Sequence, residues 1–474
     1  MSGESGLESV KGTRKVMKFA LPTIIMMVLT SSYVMVDGLI VANLIGTDAL
    51  AAANLTMPVY SFFTAVGFMF ASGGSALVSK KMGEGRTAEA RSDFTLISVV
   101  AVIMAVAIIA VCLVFLDPLV DALGADETLH DLTKEYMLYW GGFAPFAVLQ
   151  FIFIQFFVVV GKPGLALAAA VGSGITNICL DLLFIGGLGT GIGGAAVASG
   201  ISSLIPCAIG LYFFTGGRSA LQFGRPNGNR GILPKVCSNG ASEMVTELSG
   251  SVASLAFNLV MMHYIGADGV GAITVIMYVQ FLALAILLGY SMGVAPVMSH
   301  AYGRNDREAM SGLYRVSLKF TLVFSVAVFL FMEFFGWVVV GLFNAGNEHM
   351  YEIATSGILI HSFAYLFMGV NMYASSLFTS LSNGLLSAVI SGLRSLIILV
   401  PLIVFLPAMM GVDGVWYAVP VTDLSVMILS VWLLIRNSDR YGYGRLFDRR
   451  QAASRTFIKR DSFPSDGCPQ NRLV

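Results

Sequence analysis

Residues 94–116 read FTLISVVAVIMAVAIIAVCLVFL, an apolar run of 23 positions without one charged side chain. As a helix rising 1.5 Å per residue it covers about 34 Å, enough to cross the ~30 Å hydrocarbon core of a bilayer. Lipid offers backbone amides and carbonyls no partners, so such a run must be helical. Eleven further stretches pass the same test, and the expectation is twelve spans: 17–43, 54–79, 94–116, 136–160, 165–187, 192–215, 239–264, 273–298, 316–342, 353–378, 386–409 and 415–436. Charged residues make up only 12 % of the chain, where a soluble protein carries roughly 25 %. The predicted class is an all-α integral membrane protein. The first apolar run exceeds 20 residues and no small-residue cleavage site follows a short core, so it reads as a retained helix rather than a signal peptide. Cys112, Cys179, Cys207, Cys237 and Cys468 show no paired spacing, so neither disulfide nor zinc is expected.

Basic residues mark the cytoplasmic side of a membrane protein. With the N-terminus inside, 26 of the 28 lysines and arginines fall in cytoplasmic segments, among them Lys11, Lys15, Lys80, Lys81, Arg218, Arg230, Arg304, Arg307 and nine from Arg436 onward. The exceptions are Lys134 in an outer loop and Arg394 in span 11. Outer loops are acidic, with Asp117, Asp121, Asp126 and Glu127. Both termini are expected in the cytoplasm and the chain in the plasma membrane.

Shifting the sequence against itself by 220 residues brings Ile45-Gly46-Thr47-Asp48 onto Ile265-Gly266-Ala267-Asp268, Gly83 onto Gly303, Gly164 onto Gly384 and Ala198 onto Ala418. One offset held that far implies two six-helix repeats. Six is even, so both copies enter from the same side and run parallel, around a central cleft. The expected organisation is a cytoplasmic N-terminus (1–16), an N-lobe (17–215), a cytoplasmic linker (216–238), a C-lobe (239–436) and a basic cytoplasmic tail (437–474).

Ionisable residues inside spans are functional candidates, since each costs ~2.5–3.5 kcal/mol at a helix centre. Asp37 lies 19 residues beyond Lys18, ~28 Å along an outward-running helix. Asp181 on span 5 reaches a similar depth, with Asn177 one turn below it on the same face and Ser199 level with it on span 6. The shift of 220 places Phe257 and Pro401 where the acids stand, so the scaffold alone does not require them. In the second half Glu247 reads as lining a cavity, Glu243 and Glu333 as interfacial, and Asp423 as a second cation site or a hydroxyl's partner. Asn258 and Asn371 read as interhelical hydrogen-bonders or cavity-lining residues. Pro22 is expected to break span 1 near its inner end. The run Gly186-Gly187-Leu188-Gly189-Thr190-Gly191 joins two spans and reads as a tight turn rather than a nucleotide loop. No GxxxxGK[ST] sequence is present, so no ATP motor is expected.

Leu21-Pro22 in span 1 with Asp37 near its outer end, Gly161-Lys162-Pro163 before span 5, Asn177-Ile178-Cys179-Leu180-Asp181 within it, and Gly194-Ala195-Ala196-Val197-Ala198-Ser199 in span 6 together resemble the multidrug and toxic compound extrusion (MATE) transporters. The resemblance covers about residues 12–436 and is nearest the MepA-like and DinF-like branches. It implies a cation-coupling and substrate-binding site at Asp37, Asn177, Asp181 and Ser199 (the last commonly Thr in the family), with Glu247, Asn258, Asn371 and Asp423 as candidates for a C-lobe cavity. It implies exchange of small organic cations or drugs for protons or sodium ions, sodium being held at Asp37 and Asp181, with no other cofactor or metal. Expected partners are organic cations and membrane lipid, no nucleic acid, and the chain is expected to work as a monomer rather than as an enzyme. Rival readings are a lipid-linked oligosaccharide flippase, which calls for a basic cavity, and an intramembrane transferase, which calls for a DDxxD-type acid pair absent from this sequence.

Overall fold

The computed structural model describes residues 7–217, 219–225, 231–343 and 347–444. Arg218 and Arg230 of the linker, Cys468, and the tail beyond residue 444 lie outside the described residues. Every described element is helical. Span 1 is Thr13–Leu44, span 2 Met57–Gly83, span 3 Thr87–Val114, span 4 Glu127–Gly141 with Ala144–Val159, span 5 Pro163–Asp181 continuing into a π-helical turn Leu182–Gly187, and span 6 Gly191–Thr215. The second half repeats the order: span 7 Ile232–Tyr264, span 8 Ala267–Gly303, span 9 Arg307–Leu342, and span 10 Glu348–His361 with Phe363–Ser380. Span 11 is Gly384–Gly392, a π-helical turn Leu393–Ile397 and Leu399–Met410, and span 12 is Asp413–Tyr441.

All twelve expected stretches are helical, but spans 4 and 10 are bent pairs, by 53° and 49°. In span 4 the break falls at Gly142–Phe143, just before Pro145, which has no N–H for the next turn; the Phe143 amide closes a short turn onto the Trp140 carbonyl at 2.8 Å instead. Span 10 bends without proline. There the Ser362 hydroxyl lies 2.9 Å from the Leu359 carbonyl and donates to Glu333 Oε1 at 2.5 Å, and a hydroxyl that bonds back to its own helix favours a bend. Glu333, expected at the interface, is thus the partner of a helix break. Pro22 does not break span 1: the helix runs on from Thr13 to Leu44, as membrane helices tolerate an internal proline where surrounding groups re-satisfy the freed carbonyl.

The two halves meet most closely toward the face that carries Lys80 and Arg304. A Cβ added at Gly83 would collide with the His300 carbonyl oxygen, and one at Gly303 with the Lys80 carbonyl oxygen. Each contact is the other's image under the shift of 220, so the repeats pack about a pseudo-two-fold axis. Higher up, Gly73 on span 2 and Gly240 on span 7 bring backbones together: a Cβ at Gly73 would strike the Val236 carbonyl and one at Gly240 the Met69 carbonyl. Their repeat mates Gly293 and Ala20 pack in the same way: a Cβ added at Gly293 would lie 3.0 Å from the Ala20 Cα. Cross-half hydrogen bonds add to these contacts, from Ser79 Oγ to the Pro296 carbonyl at 3.1 Å between the two glycine levels, and from Gln155 Nε2 to the Met292 carbonyl at 3.3 Å beside the upper one. On this face the segment before span 1 also docks onto the second half, with Leu7 and Val10 buried, Glu8 paired to Arg304 at 2.8 Å and Lys11 to Asp306 at 3.1 Å. Toward the opposite face the halves part. A cavity of about 560 Å³ separates Ser31 and Ser32 of span 1 from Tyr278–Ile286 of span 8 and from Phe324, Phe331 and Phe343.

Candidate functional site

Spans 1, 5 and 6 bring Asp37, Asn177, Asp181 and Ser199 together. The i, i+4 spacing of Asn177 and Asp181 sets both on one face of span 5, and both are buried, at 2 % and 0 % exposure. Asn177 Nδ2 donates to Ser199 Oγ at 3.2 Å, which fixes the amide so that its carbonyl oxygen points away from span 6. Asp37 lies against both Asp181 and Asn177. Among the described residues, four buried oxygens then have no hydrogen-bond donor: Asp37 Oδ1, Asn177 Oδ1 and both carboxylate oxygens of Asp181. Native proteins leave few buried acceptors unpaired, and two neighbouring carboxylates without a basic partner repel each other. The cluster lacks a positive charge, and its oxygens fit a shared proton or a small cation.

Asp37, Asn177 and Ser199 open onto a cavity of about 100 Å³, with Asp181 behind them. Its walls are Tyr33, Tyr60, Tyr136 and Trp140, with Gln150, Ser202 and Ser203. Tyr60 and Trp140 lie 5.5 Å apart between ring centroids, and Tyr33, Tyr60 and Tyr136 stand within electrostatic reach of Asp37. Aromatic faces attract cations, so the walls reinforce the sign of the acids. None of these four aromatics is singled out by the sequence reading above. The available signal was spacing: Tyr33 precedes Asp37 by four residues, and Tyr136 precedes Trp140 by four.

In the second half the candidates separate. Glu247 lines a central cavity of about 80 Å³ between the halves, with Phe68, Ser75, Gln155 and Met292. Glu243, expected at the membrane interface, lines the same cavity: the side chain lies on the face of span 7 turned to span 2. Asn371 and Asp423 face each other rather than a cavity. Asn371 Nδ2 donates to the Asp423 carbonyl at 2.8 Å and to its Oδ1 at 3.1 Å, and Arg394 Nε donates to the same Oδ1 at 2.6 Å. Asp423 therefore carries its own counter-charge. Asn258, on the outer part of span 7, is half-buried and lines none of these cavities.

Two parallel six-helix repeats, closed on one face around a shared cavity and holding unpaired acids, are the architecture of a multi-pass membrane carrier. The chain belongs to the MatE family, whose model matches residues 22–183 and again residues 244–405, so the two matches begin 222 residues apart against the 220 read by self-comparison. Members of this family are transporters, not enzymes. The chain is 25 % identical over 449 residues to the FAD transporter of Shewanella oneidensis, covering 92 % of this chain and 97 % of that protein. It is 23 % identical over 432 residues to the multidrug export protein MepA of Staphylococcus aureus, covering 89 % and 93 %. A solved structure of an outward-facing multidrug-resistance MATE transporter of the MOP superfamily superposes with a TM-score of 0.86 at 22 % identity, covering 93 % of this chain and 99 % of that one.

Proposed function

We propose that this chain is a secondary active exporter that exchanges organic cations for protons or sodium ions by alternating access. Residues 17–215 and 239–436 act as its two lobes, joined through the cytoplasmic linker 216–238, whose last seven residues already belong to the helix of span 7, in a monomer embedded in the plasma membrane. The observation that carries this reading is the set of four donorless buried oxygens on Asp37, Asn177 and Asp181 behind an aromatic-walled cavity. A site that needs one positive charge, and borders a cavity suited to another, makes ion and cargo rivals for the same carboxylates. Expelling one positive charge against ~100 mV costs ~2.3 kcal/mol, and letting one cation in returns as much, so an ion gradient drives the exchange. The basic face is cytoplasmic by the positive-inside rule, and the arrangement described is then closed inside and open outside.

The relative named as an FAD transporter supplies the competing reading, a flavin with phosphate charges. The tyrosines and Trp140 would stack an aromatic ring, but no lysine or arginine lines that cavity, and Arg394 is committed to Asp423. Purified protein in sealed vesicles, with pH and sodium gradients imposed separately, tests both. We expect one gradient alone to drive uptake of an organic cation, other organic cations to compete with it, and FAD to leave it unchanged. Equal inhibition by FAD, or uptake indifferent to both gradients, would overturn the cation-exchange reading.

A further inference from the structure

Spans 10, 11 and 12 repeat spans 4, 5 and 6, and they hold a polar cluster of their own. Asp423, Asn371 and Ser430 are buried at 1 %, 0 % and 0 % exposure. Ser430 Oγ donates to Asn371 Oδ1 at 2.9 Å, which turns the Asn371 amide nitrogen onto Asp423 Oδ1 and the Asp423 main-chain carbonyl. The ingredients resemble those of the first half, a carboxylate, an amide and a hydroxyl, but the bonds run differently: Asn177 Nδ2 is spent on Ser199 Oγ, whereas Asn371 Nδ2 reaches Asp423. One component differs. Among the described residues the acids of spans 1 and 5 have no basic partner, whereas Arg394 Nε lies 2.6 Å from Asp423 Oδ1. Each cluster also lies beside an irregular backbone, since a π-helical turn begins directly after Asp181 and another directly before Arg394, although the two turns do not coincide under the shift of 220; such turns recur at functional sites.

We propose that the guanidinium of Arg394 is a tethered cation, filling in the second half the role that the exchangeable ion fills in the first. This rests on the ion-exchange reading above. The second half is then permanently charge-satisfied, and coupling runs through Asp37 and Asp181 alone. The physical ground is the cost of an uncompensated buried carboxylate: a carboxylate braced at Asp423's depth must have a cation, and a covalently held guanidinium, charged at every accessible pH, removes the need for a mobile one.

The test is direct cation binding to purified protein, by sodium binding and by proton release, together with cargo affinity across a range of ion concentrations, for wild type, Arg394→Met, Asp423→Asn and the double variant. Removing the guanidinium alone exposes a vacant site, so Arg394→Met should bind one more cation per chain than wild type. Where that cation competes with cargo, the slope of log affinity against log ion concentration should steepen from about −1 to about −2, because binding linkage is reciprocal. The double variant removes both charges and should return to the wild-type ion count and slope. No added cation in a cargo-binding Arg394→Met would refute the tethered-cation assignment. So would a loss of ion dependence in Asp423→Asn. If Arg394→Met does not fold, the double variant decides, and an altered slope there sinks the proposal. A wild type without any ion dependence would defeat the exchange mechanism itself, while the added cation in Arg394→Met is still read separately by binding.

Discussion

Asp37→Asn and Asp181→Asn are each expected to lower gradient-driven export by about a hundredfold or more, with insertion into the membrane intact. A unit charge 4 Å from a carboxylate gains ~4 kcal/mol at an effective dielectric of 20, and each 1.4 kcal/mol is tenfold in affinity. The amide keeps the side chain's size, so packing around the fully buried Asp181 is little disturbed, and it can donate to a neighbouring orphan oxygen. Insertion should therefore survive while the affinity for ion and cargo falls. Ser199→Ala should do much less, since it deletes one 3.2 Å hydrogen bond from Asn177, worth ~1 kcal/mol. The measurement is uptake into vesicles under an imposed gradient, with reconstituted protein quantified in each preparation. Near-normal coupled export by both Asn variants would remove the first-half site from the mechanism.

Depth along each helix was legible in the sequence, and facing was not. A span needs ~20 apolar residues and a basic inner end, both linear properties, so all twelve spans and the repeat followed from counting. Depth likewise grouped Asp37, Asn177, Asp181 and Ser199. Rotation about each helix axis is set by neighbours up to hundreds of positions away. Spacing alone therefore leaves Asp423 available, whereas Arg394, 29 residues earlier, packs against it; it leaves Glu243 interfacial, whereas span 2 covers its face. A duplicated sequence helps little here, because the repeat preserves helices while their polar residues diverge. Bends followed the same division. Pro145 announces the break in span 4, but the break in span 10 depends on Glu333 reaching Ser362 from another helix, and Pro22 sits in a helix that does not break.

Closure of the basic face should depend on Gly240 more than on any charge. A side chain there meets the Met69 carbonyl, and one at Gly73 meets the Val236 carbonyl, so Gly240→Val must push spans 2 and 7 apart where their backbones touch. Overpacking a well-packed contact costs ~1–3 kcal/mol, and a difference of that size shifts a two-state equilibrium by ~5–150-fold. The cost falls on the arrangement closed at the basic face and not on one in which the halves separate there, so the variant should populate the basic-face-open state and export at least about fivefold more slowly. Ser79, fully buried and bonded across the halves to the Pro296 carbonyl, is the reporter. In a background with the five native cysteines replaced by serine, Ser79→Cys should resist a membrane-impermeant thiol reagent added to the basic side, and Gly240→Val should make it react. Gly250→Val is the control on the same span, because a Cβ there meets nothing within 4 Å, and it should alter neither labelling nor export. Unchanged protection of the introduced thiol in the Gly240→Val variant would mean that the glycine contacts do not hold this face shut.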